Sequence, residues 1–222
     1  PSHTTRHLCE HRGCAVEASF ISDEQEVMRI EENLVVAALE SAKKLCAADF
    51  ELLNIKLSIP KTPFPVLEFP GVYDILENMG KTIPHGEDYD RESEVLLWEY
   101  VKKKFKSDFF FVNRFPSGVK SFYVMRYDDD PQWARSTDLM YKGLEMSSGG
   151  QREHRYDVLM KQITEKKLNP ASFAWFTEFF RFGVPPMGGF NIGIERLTQK
   201  TLDLDNVREA ALFPRDTERL LP

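Results

Sequence analysis

Two acidic residues, Asp138 and Glu145, fall in the two strands of a hairpin that the sequence predicts around a turn at 142–143. With this turn, Met140 faces Glu145 and Asp138 faces Ser147. Because side chains alternate between the two faces of a strand, both carboxylates emerge on one face as diagonal neighbours. Two carboxylates with no neighbouring cation repel each other, and magnesium commonly binds one or two carboxylates together with phosphate oxygens. The pattern alone favours a solvated pair on an exposed face, and a site for a divalent ion that carries phosphates is the functional interpretation of the same pair.

Directly after the hairpin, the stretch SSGGQREHR at 147–155 combines a glycine pair with an arginine. Glycines allow the backbone to approach a ligand closely, and the planar guanidinium of Arg152 matches a carboxylate or a phosphate. The stretch predicts a strand-to-helix turn with a charged rim. Binding of an anion by this turn is the functional interpretation of the same residues.

A third candidate is the stretch PPMGGFNIGIERL at 185–197. Its proline and glycine pairs predict a sharp, close-packed turn, and a helix is predicted to open near Gly193. Arg196 then lies in the first turn of that helix, where its positive charge opposes the helix dipole. We therefore expect an anion beside Arg196.

The amino-terminal stretch HLCEHRGC at 7–14 carries residue types that bind zinc, with two histidines, two cysteines and a glutamate. It lacks the usual CxxC pairing of zinc sites. On a strand, His7, Cys9 and His11 would form a row too extended for one tetrahedral ion. The pattern therefore disfavours zinc, and Cys9 and Cys14 are interpreted as incidental.

These candidate residues need a scaffold, and the composition is that of an ordinary globular chain. The 222 residues suffice for one domain with a full core, and apolar and charged residues make up 42% and 29% of them. A net charge of −6 gives no global attraction to nucleic acid. No apolar run is long enough for a membrane helix, and no signal peptide is visible. Three cysteines are too few for a disulfide framework, which predicts a reducing compartment.

The periodicity of apolar residues predicts mixed strands and helices without regular β-α-β alternation, which favours an α+β fold on an antiparallel sheet. A capping box at Ser22 and Gln25 is predicted to open the first long helix, which reaches about Ala47. The other predicted elements are strands at 14–20, 109–113 and 121–127, a hairpin at 134–148, and helices at 71–80, after Asp90, at 154–166, after Asn169-Pro170 and from near Gly193.

Segments of this chain also resemble one known family, in order and over nearly the whole length. GGFNIGIERL resembles motif 3 of the class II aminoacyl-tRNA synthetases, and STDLMYKGLEMSSGGQREHR is similar to the aspartyl-tRNA synthetase segment just before it. NVREAALFPRDTERLLP resembles the carboxyl terminus of the same enzymes, and KTPFP, GKTIPHGED and FPSGVKSFYVMRYD resemble their archaeal and eukaryotic branch. Asparaginyl-tRNA synthetases usually lack SSGGQREHR and FPRD, so the resemblance favours the aspartyl type.

The resemblance implies the class II catalytic fold, an antiparallel β-sheet flanked by helices. It implies a two-step reaction in which L-aspartate and ATP form aspartyl-adenylate and pyrophosphate, and the aspartyl group is then transferred to the 3′ end of tRNA(Asp). It further implies magnesium bound with ATP, a homodimer, a cytoplasmic location and no membrane partner.

The resemblance also implies roles for individual residues. Arg152 would bind the side-chain carboxylate of aspartate, and Ser148 and Gly149 would line the amino-acid pocket. Arg196 would hold the γ-phosphate of ATP and lie against the adenine. The implied magnesium ligands are Asp138, Glu145 and Ser148. The implied ATP-binding residues are His7, Glu145, Ser148, Gly193 and Arg196, of which His7 and Arg196 are the catalytic ones.

The segment SHTTRHL at 2–8 resembles the motif 2 loop, in which His7 would contact a phosphate of ATP and the loop would touch the tRNA acceptor end. We therefore expect residues 1–222 to be the C-terminal part of a catalytic domain, from the motif 2 loop through motif 3. The anticodon-binding OB-fold domain and motif 1 are expected to lie outside this chain.

At four positions the chain departs from the family pattern. Ala15 stands where the family has an aspartate for the substrate ammonium, and His11 where an aromatic residue stacks on adenine. Met187 replaces a common histidine, and Asn191 replaces a glycine, which predicts a positive φ at Asn191. Three alternatives to the aspartate–tRNA ligase therefore stay open. They are a related asparagine synthetase, an asparaginyl-tRNA synthetase and a non-catalytic paralogue.

Overall fold

The computed structural model describes residues 4–221, and within them one six-stranded sheet forms the centre of the fold. The strand order is β1-β6-β5-β4-β3-β2, and all neighbours are antiparallel except β2 and β3. The strands are β1 (Gly13–Ser19), β2 (Val66–Glu68), β3 (Phe109–Asn113), β4 (Ser136–Tyr141), β5 (Leu144–Gln151) and β6 (Met187–Gly193). The predicted α+β fold on an antiparallel sheet is confirmed, with one parallel edge strand.

Seven helices and two 3-10 turns accompany the sheet in the described residues. They are α1 (Glu24–Leu45), α2 (Ala47–Leu52), α3 (Gly71–Asn78), α4 (Arg91–Phe105), α5 (Tyr156–Glu165), α6 (Ala174–Arg181) and α7 (Ile194–Thr201), with 3-10 turns at Pro170–Phe173 and Val207–Ala210. In the described residues, none of them is both long and apolar enough to cross a bilayer. Pro1 and Pro222 lie outside the described residues, and so do Ser2 and His3 of the segment that resembles motif 2.

The sheet is covered by helices on both faces, which the alternation of β3 shows directly. Phe109 and Phe111 pack into a core shared with α1, whereas Phe110 and Val112 pack into a core shared with α3 and α4. Successive side chains of a strand point to opposite faces, so a strand buried on both sides is apolar throughout. A third, smaller apolar cluster joins α5 and α6.

The first long helix begins one residue later than predicted. Asp23, not Ser22, is the N-cap, and its Oδ1 accepts hydrogen bonds from the backbone N–H groups of Gln25 and Glu26. The carboxylate of Glu26 in turn accepts from the N–H of Ser22 at 3.2 Å. The arrangement differs from a capping box, in which Glu26 would accept from the N–H of the N-cap Asp23 itself. The predicted cap at Asp90 is confirmed, because its Oδ1 accepts from the N–H of Ser93.

Three predicted elements near the site are wrong. Residues 121–127 form a loop with isolated bridges instead of a strand. The stretches 147–151 and 187–189, predicted as parts of turns, belong to β5 and β6. Their glycines mislead because glycine is normally disfavoured in strands.

The β4–β5 hairpin contains a bulge that the sequence pattern did not show. Met140 faces Glu145 as predicted, but the register then shifts, and Asp138 faces Ser148 where Ser147 was predicted. Ser147 points toward α1 because the bulge adds one residue to β5. As a consequence, Asp138, Glu145 and Ser148 all lie on the face opposite α1.

On the α1 side of this bulge, Glu31 is a fully buried carboxyl that accepts a hydrogen bond from the hydroxyl of Ser147. Burial raises the pKa of Glu31 to about 8. The native state therefore holds the Glu31 proton at pH values where the unfolded chain has lost it. This difference stabilises the fold fully below the unfolded pKa and is lost as the pH rises toward 8.

We expect Glu31→Gln, which keeps an acceptor for Ser147 but cannot ionise, to gain stability relative to the wild type between pH 5 and pH 8. The expected gain is roughly 1 kcal/mol for each pH unit in this window. Urea unfolding of the full-length protein at pH 5, 6.5 and 8 measures it. Glu40→Gln, at an exposed position of the same helix, is the matched control. A difference from wild type that stays constant with pH would contradict the buried proton.

Candidate active site

Two neighbouring cavities open on the face of the sheet opposite α1, above β1, β6 and β5. The His7 cavity has a volume of ≈ 240 Å³, and its lining includes His7, His11, Glu145, Asn191, Gly193 and Arg196. The Arg152 cavity has a volume of ≈ 320 Å³, and its lining includes Ala15, Glu17, Lys120, Ser148, Gly149 and Arg152. The predicted site residues are therefore brought together in two cavities, with the exception of Asp138, which is not among the lining residues of either cavity and lies opposite Ser148 on the same face of the sheet.

In the His7 cavity, Arg196 is held against β5 by α7. Gly193 is the N-cap of α7, which places Arg196 in its first turn as predicted. The Arg196 guanidinium donates to the backbone oxygen of Glu145 at 2.9 Å and lies 3.3 Å from the Glu145 carboxylate. The anion expected beside Arg196 is thus, in this structure, Glu145.

His7 belongs to a turn that lies over the same cavity. Its Nδ1 is 2.6 Å from the hydroxyl oxygen of Thr4. Burial, and then the charges of Arg196 and Arg6, lower the pKa of His7 below 6.5. The neutral imidazole is therefore favoured at pH 7, so that His7 would meet a phosphate as a hydrogen-bonding group and not as a full cation.

Asp138 and Glu145 lie on one face, but two cations accompany them. Lys120 is 3.3 Å from Asp138 Oδ2, and Arg196 pairs with Glu145. The expectation of two carboxylates with no neighbouring cation is therefore wrong. Burial, and then the nearby Asp138 carboxylate, still raise the pKa of Glu145 to about 7. Repulsion between the two carboxylates thus persists despite the cations.

One oxygen of this acidic pair is suited to a cation. Among the described residues, the buried Oδ1 of Asp138 has no hydrogen-bond partner, and an unpartnered buried anionic oxygen is costly. The hydroxyl of Ser148 emerges directly opposite Asp138 in the β4–β5 ladder. Within residues 4–221, no three His, Cys, Asp or Glu side chains converge on one point. A magnesium ion would therefore need ligand oxygens from a bound phosphate as well.

The Arg152 cavity contains two cations. Arg152 Nε donates to Glu17 Oε1 at 2.7 Å, and its guanidinium lies 5.7 Å from the ring centre of Tyr123. Lys120 enters from the loop before Tyr123 and is only 13% exposed. Gly149 lies on the floor, where a Cβ atom would come within 2.5 Å of the Gly189 carbonyl oxygen. The glycine is therefore required for the close approach of β5 and β6.

Sequence reasoning missed two residues of this cavity, Lys120 and Tyr123. Both belong to FPSGVKSFYVMRYD, a segment noted for its resemblance to the family but predicted to be partly a strand. Residues 121–127 form a loop that crosses the face of the sheet on which both cavities open. An isolated β-bridge joins Val124 of this loop to Arg152. The resemblance of this segment to the family could have indicated that it contributes to the site, but the prediction of a strand at 121–127 argued against a loop there.

Three of the four departures from the family pattern, Ala15, Asn191 and His11, line these cavities. Ala15 on β1 faces Asn191 on β6, and Asn191 in turn faces Ser148 on β5. Asn191 is paired on both sides within a strand and is not among the residues with positive φ. The predicted left-handed backbone at Asn191 is therefore wrong. Met187 packs against the α5–α6 cluster, away from both cavities.

The histidine- and cysteine-rich stretch is not extended over its whole length. Residues 4–12 are turns and irregular chain, and β1 starts only at Gly13. Cys9 and Cys14 are free thiols, and Glu10 pairs with Arg215 at 3.1 Å. His11 reaches the His7 cavity. The stretch therefore connects the turn before His7 to β1, which is an edge strand of the sheet.

The family model described as tRNA synthetases class II (D, K and N) matches residues 1–217. The chain belongs to this family. It is 48% identical over 219 residues to an aspartate–tRNA(Asp) ligase from Thermococcus kodakarensis, covering 99% of this chain and 50% of that protein. The chain thus spans about half the length of the curated relatives it matches.

Two solved synthetases share the fold. An aspartyl tRNA synthetase from Entamoeba histolytica matches with a TM-score of 0.93 at 33% identity, over 100% of this chain and 46% of that one. An asparaginyl-tRNA synthetase from Pyrococcus horikoshii, complexed with asparaginyl-adenylate, matches with a TM-score of 0.89 at 32% identity, over 100% of this chain and 51% of that one. The class II synthetase fold expected from the resemblance is thereby confirmed.

Proposed function

We propose that the protein containing this chain is an aspartate–tRNA ligase. It would activate L-aspartate with ATP to aspartyl-adenylate and transfer the aspartyl group to the 3′ end of tRNA(Asp). The observation that carries this proposal is the pair of cations, Arg152 and Lys120, that reach one cavity beside a second cavity containing Arg196 and His7. The similarity to an aspartate–tRNA(Asp) ligase supports the same assignment.

The Arg152 cavity suits a dicarboxylic amino acid. The guanidinium of Arg152 presents a planar fork that matches a carboxylate bidentately, and Lys120 adds a second positive charge. Ser148 and Gly149 form the floor beneath. Asparagine offers an amide in place of the second carboxylate, and an amide cannot accept hydrogen bonds from both arms of the guanidinium, so that the cavity would reject it.

The His7 cavity would hold ATP, with Arg196 on a phosphate and against the adenine. To do so, Arg196 must exchange part of its contact with Glu145 for the phosphate. His7 would donate a hydrogen bond to a phosphate oxygen, and Gly193 would leave the floor beside Arg196 free of a side chain. The proposed ATP-binding residues are His7, Glu145, Gly193 and Arg196, which line this cavity, and Ser148, which lines the neighbouring Arg152 cavity.

The magnesium that accompanies ATP would be held by Asp138, Glu145 and Ser148. The unpartnered Oδ1 of Asp138 and the raised pKa of Glu145 fit this role, because a divalent cation relieves both. When bound, the ion supplies neutralisation of the phosphate charge. Arg196, which contacts Glu145, would share that task.

The chemistry that this chain must promote is mainly positioning. In activation, a carboxylate oxygen of aspartate forms a bond to the α-phosphorus of ATP, and the bond to pyrophosphate breaks. Arg152 and Lys120 would fix the side-chain end of aspartate, so that its α-carboxylate points toward the His7 cavity. His7 and Arg196 would hold the phosphates in place. Orientation and fixed charges of this kind account for much of enzymatic rate acceleration.

The partners of the whole protein are part of the same proposal. Residues 1–222 would be the C-terminal part of the catalytic domain, and the turn at 4–8 would touch the tRNA acceptor end. The protein would act as a homodimer in the cytoplasm. The free thiols of Cys9, Cys14 and Cys46 fit the reducing environment of that compartment. An apolar groove of ≈ 450 Å³ between α1, α2 and α7 offers surface for such an assembly.

Aspartate-dependent exchange of pyrophosphate into ATP by the full-length protein tests the activation step, and charging of tRNA(Asp) tests the transfer. We expect exchange with aspartate and none with asparagine. Exchange that depends on asparagine would instead identify an asparaginyl-tRNA synthetase. ATP-dependent formation of asparagine from aspartate and ammonia, without tRNA, would identify the related synthetase.

A second candidate is a non-catalytic binding protein, which Ala15 favours. Ala15 offers no charge to the ammonium of an amino acid, and Glu17, the nearest carboxylate on β1, is already paired with Arg152. Such a protein would bind ATP and aspartate by calorimetry without any pyrophosphate exchange.

A further inference from the structure

The Lys120 loop, defined as residues 117–124, supplies the Arg152 cavity with side chains from outside the sheet. Lys120, Ser121, Tyr123 and Val124 of this loop line that cavity, and no residue of the loop is among the described residues that line the His7 cavity. Within the described chain, residues 117–123 belong to no helix or strand. Connecting segments are normally more mobile than the elements that they join. The side chains that the loop presents to a ligand therefore need a support other than a sheet ladder.

Gln162 on α5 supports one half of the loop. Its Nε2 donates to the carbonyl oxygen of Phe122 at 2.6 Å and to that of Val124 at 3.1 Å. The carbonyl oxygen between these two, that of Tyr123, accepts from the backbone N–H of Glu153 at 2.8 Å. Gln162 is only 2% exposed, and a buried amide is costly unless it is hydrogen-bonded. The two loop carbonyls therefore explain why a glutamine is accommodated on the buried side of α5.

Lys166 supports the other half of the loop. It is the C-cap of α5, and its Nζ donates to the carbonyl oxygens of Ser117 at 3.1 Å and Gly118 at 2.6 Å. Residues four apart on a helix lie on the same face, so one face of α5 binds both ends of the loop. The two long side chains that the loop presents to the cavity lie between these bound carbonyls.

The same helix is joined directly to Arg152. Arg152 lies in the short connection between β5 and α5, and an isolated bridge pairs it with Val124 of the loop. Neither Gln162 nor Lys166 is among the described lining residues of either cavity. Their effect on a bound ligand must therefore pass through the Lys120 loop.

We propose that Gln162, with Lys166 as a second support, is a positioning residue for the Arg152 cavity. Without contacting the ligand, it fixes Lys120 and Tyr123 within the cavity and thereby sets the affinity for aspartate. The inference rests on the proposed function, which places aspartate in this cavity and ATP in the neighbouring one. Because the Lys120 loop contributes only to the first, loosening of the loop weakens the binding of aspartate and leaves the binding of ATP unaltered.

Gln162→Met in the full-length protein tests this role. Methionine is similar in length to glutamine but has no N–H group for the two carbonyls. We expect the dissociation constant of L-aspartate, measured by calorimetry, to rise by at least about tenfold, because a displacement of binding groups by about 1 Å has effects of this size. The dissociation constant of magnesium-ATP, measured separately, should stay within about twofold of wild type.

Gln199→Met is the matched control. Gln199 is also buried, at 4% exposure, and its Nε2 donates to the backbone oxygens of Asp205 at 3.2 Å and Thr5 at 3.5 Å. The Oε1 atoms of Gln162 and Gln199 both lack a hydrogen-bond partner among the described residues. Because neither carbonyl partner of Gln199 belongs to the Lys120 loop, this variant should bind L-aspartate within about twofold of wild type.

A second pair of variants decides the question even if Gln162→Met fails to fold. Lys166 is only half-buried. Lys166→Met removes its two hydrogen bonds to the loop and should weaken aspartate binding by about threefold or more. Lys166→Arg keeps a charged group that can donate to two carbonyls, so it should restore the affinity for aspartate.

The other outcomes overturn distinct claims. Unchanged aspartate affinity in both Gln162→Met and Lys166→Met would overturn the positioning role. An equal loss of affinity for ATP and aspartate in Gln162→Met, or an equal loss of aspartate affinity in Gln199→Met, would indicate a general loss of structure and overturn it as well. A wild-type protein that binds neither L-aspartate nor magnesium-ATP would refute the proposed function itself.

Discussion

Arg152→Ala is expected to lower the kcat/KM of aspartate-dependent pyrophosphate exchange by at least about a thousandfold, because a site built around hydrogen bonds to a charged group fails when that partner is removed. In this variant, Lys120 is the one cationic side chain left among the described lining residues of the Arg152 cavity, and it alone would face the carboxylates of aspartate. Discrimination against asparagine should fall together with the rate. Exchange kinetics with each amino acid in turn measure both effects.

Arg126→Ala is a closely matched control for this variant. Arg126 is 24% exposed and Arg152 is 20% exposed, and each makes a 2.7 Å contact with one carboxylate. Arg126 contributes to neither cavity. Normal aspartate activation by Arg152→Ala would remove Arg152 from the proposed binding site, whereas an equal loss in Arg126→Ala would point to a general loss of structure.

Arg196→Ala is expected to reduce kcat for the same exchange by about 10²–10³-fold, the effect typical of removing one group that stabilises charge in the transition state. Two contacts with Glu145 disappear together with the guanidinium. Arg196→Lys keeps the charge but loses the planar fork, so it should recover only part of the activity. Steady-state kinetics at varied magnesium-ATP separate the effects on kcat and KM.

Arg29→Ala provides the reference for Arg196→Ala. Arg29 lies on α1 at 65% exposure, and its contact with the carboxylate of Glu26 is 3.8 Å long. Its replacement should change neither kinetic constant. Unaltered kcat and KM for ATP in Arg196→Ala would show that the phosphates bind elsewhere.

The sequence predicted the chemistry of the hairpin better than its geometry. The spacing from Asp138 to Glu145 across a two-residue turn sufficed to place both on one face, because that relation depends only on strand alternation. The pairing of Asp138 with Ser148 did not follow, since it depends on a bulge. Around that bulge, Ser147 meets Glu31 of a distant helix. A local sequence pattern cannot predict the contact between Ser147 and Glu31, because these residues are far apart in the chain.

The glycine-rich stretches are a second case in which a local pattern misled the prediction. Glycines at 149–150 and 188–189 predicted turns, because isolated strands disfavour glycine. In the folded chain, side chains at Gly149, Gly188 and Gly189 would overlap backbone of neighbouring strands. These glycines are therefore required by the sheet that they were predicted to interrupt.

The sequence by itself determined the family, the α+β class, the helix caps to within one residue, and the residue types available for binding phosphate and carboxylate. Only the tertiary structure decided that these residues form two cavities and that Lys120 joins one of them. The reason is physical. Caps and alternation arise from contacts a few residues apart, whereas the site is made where β1, β5 and β6 meet the 114–127 loop, and those segments are brought together only by the packed core.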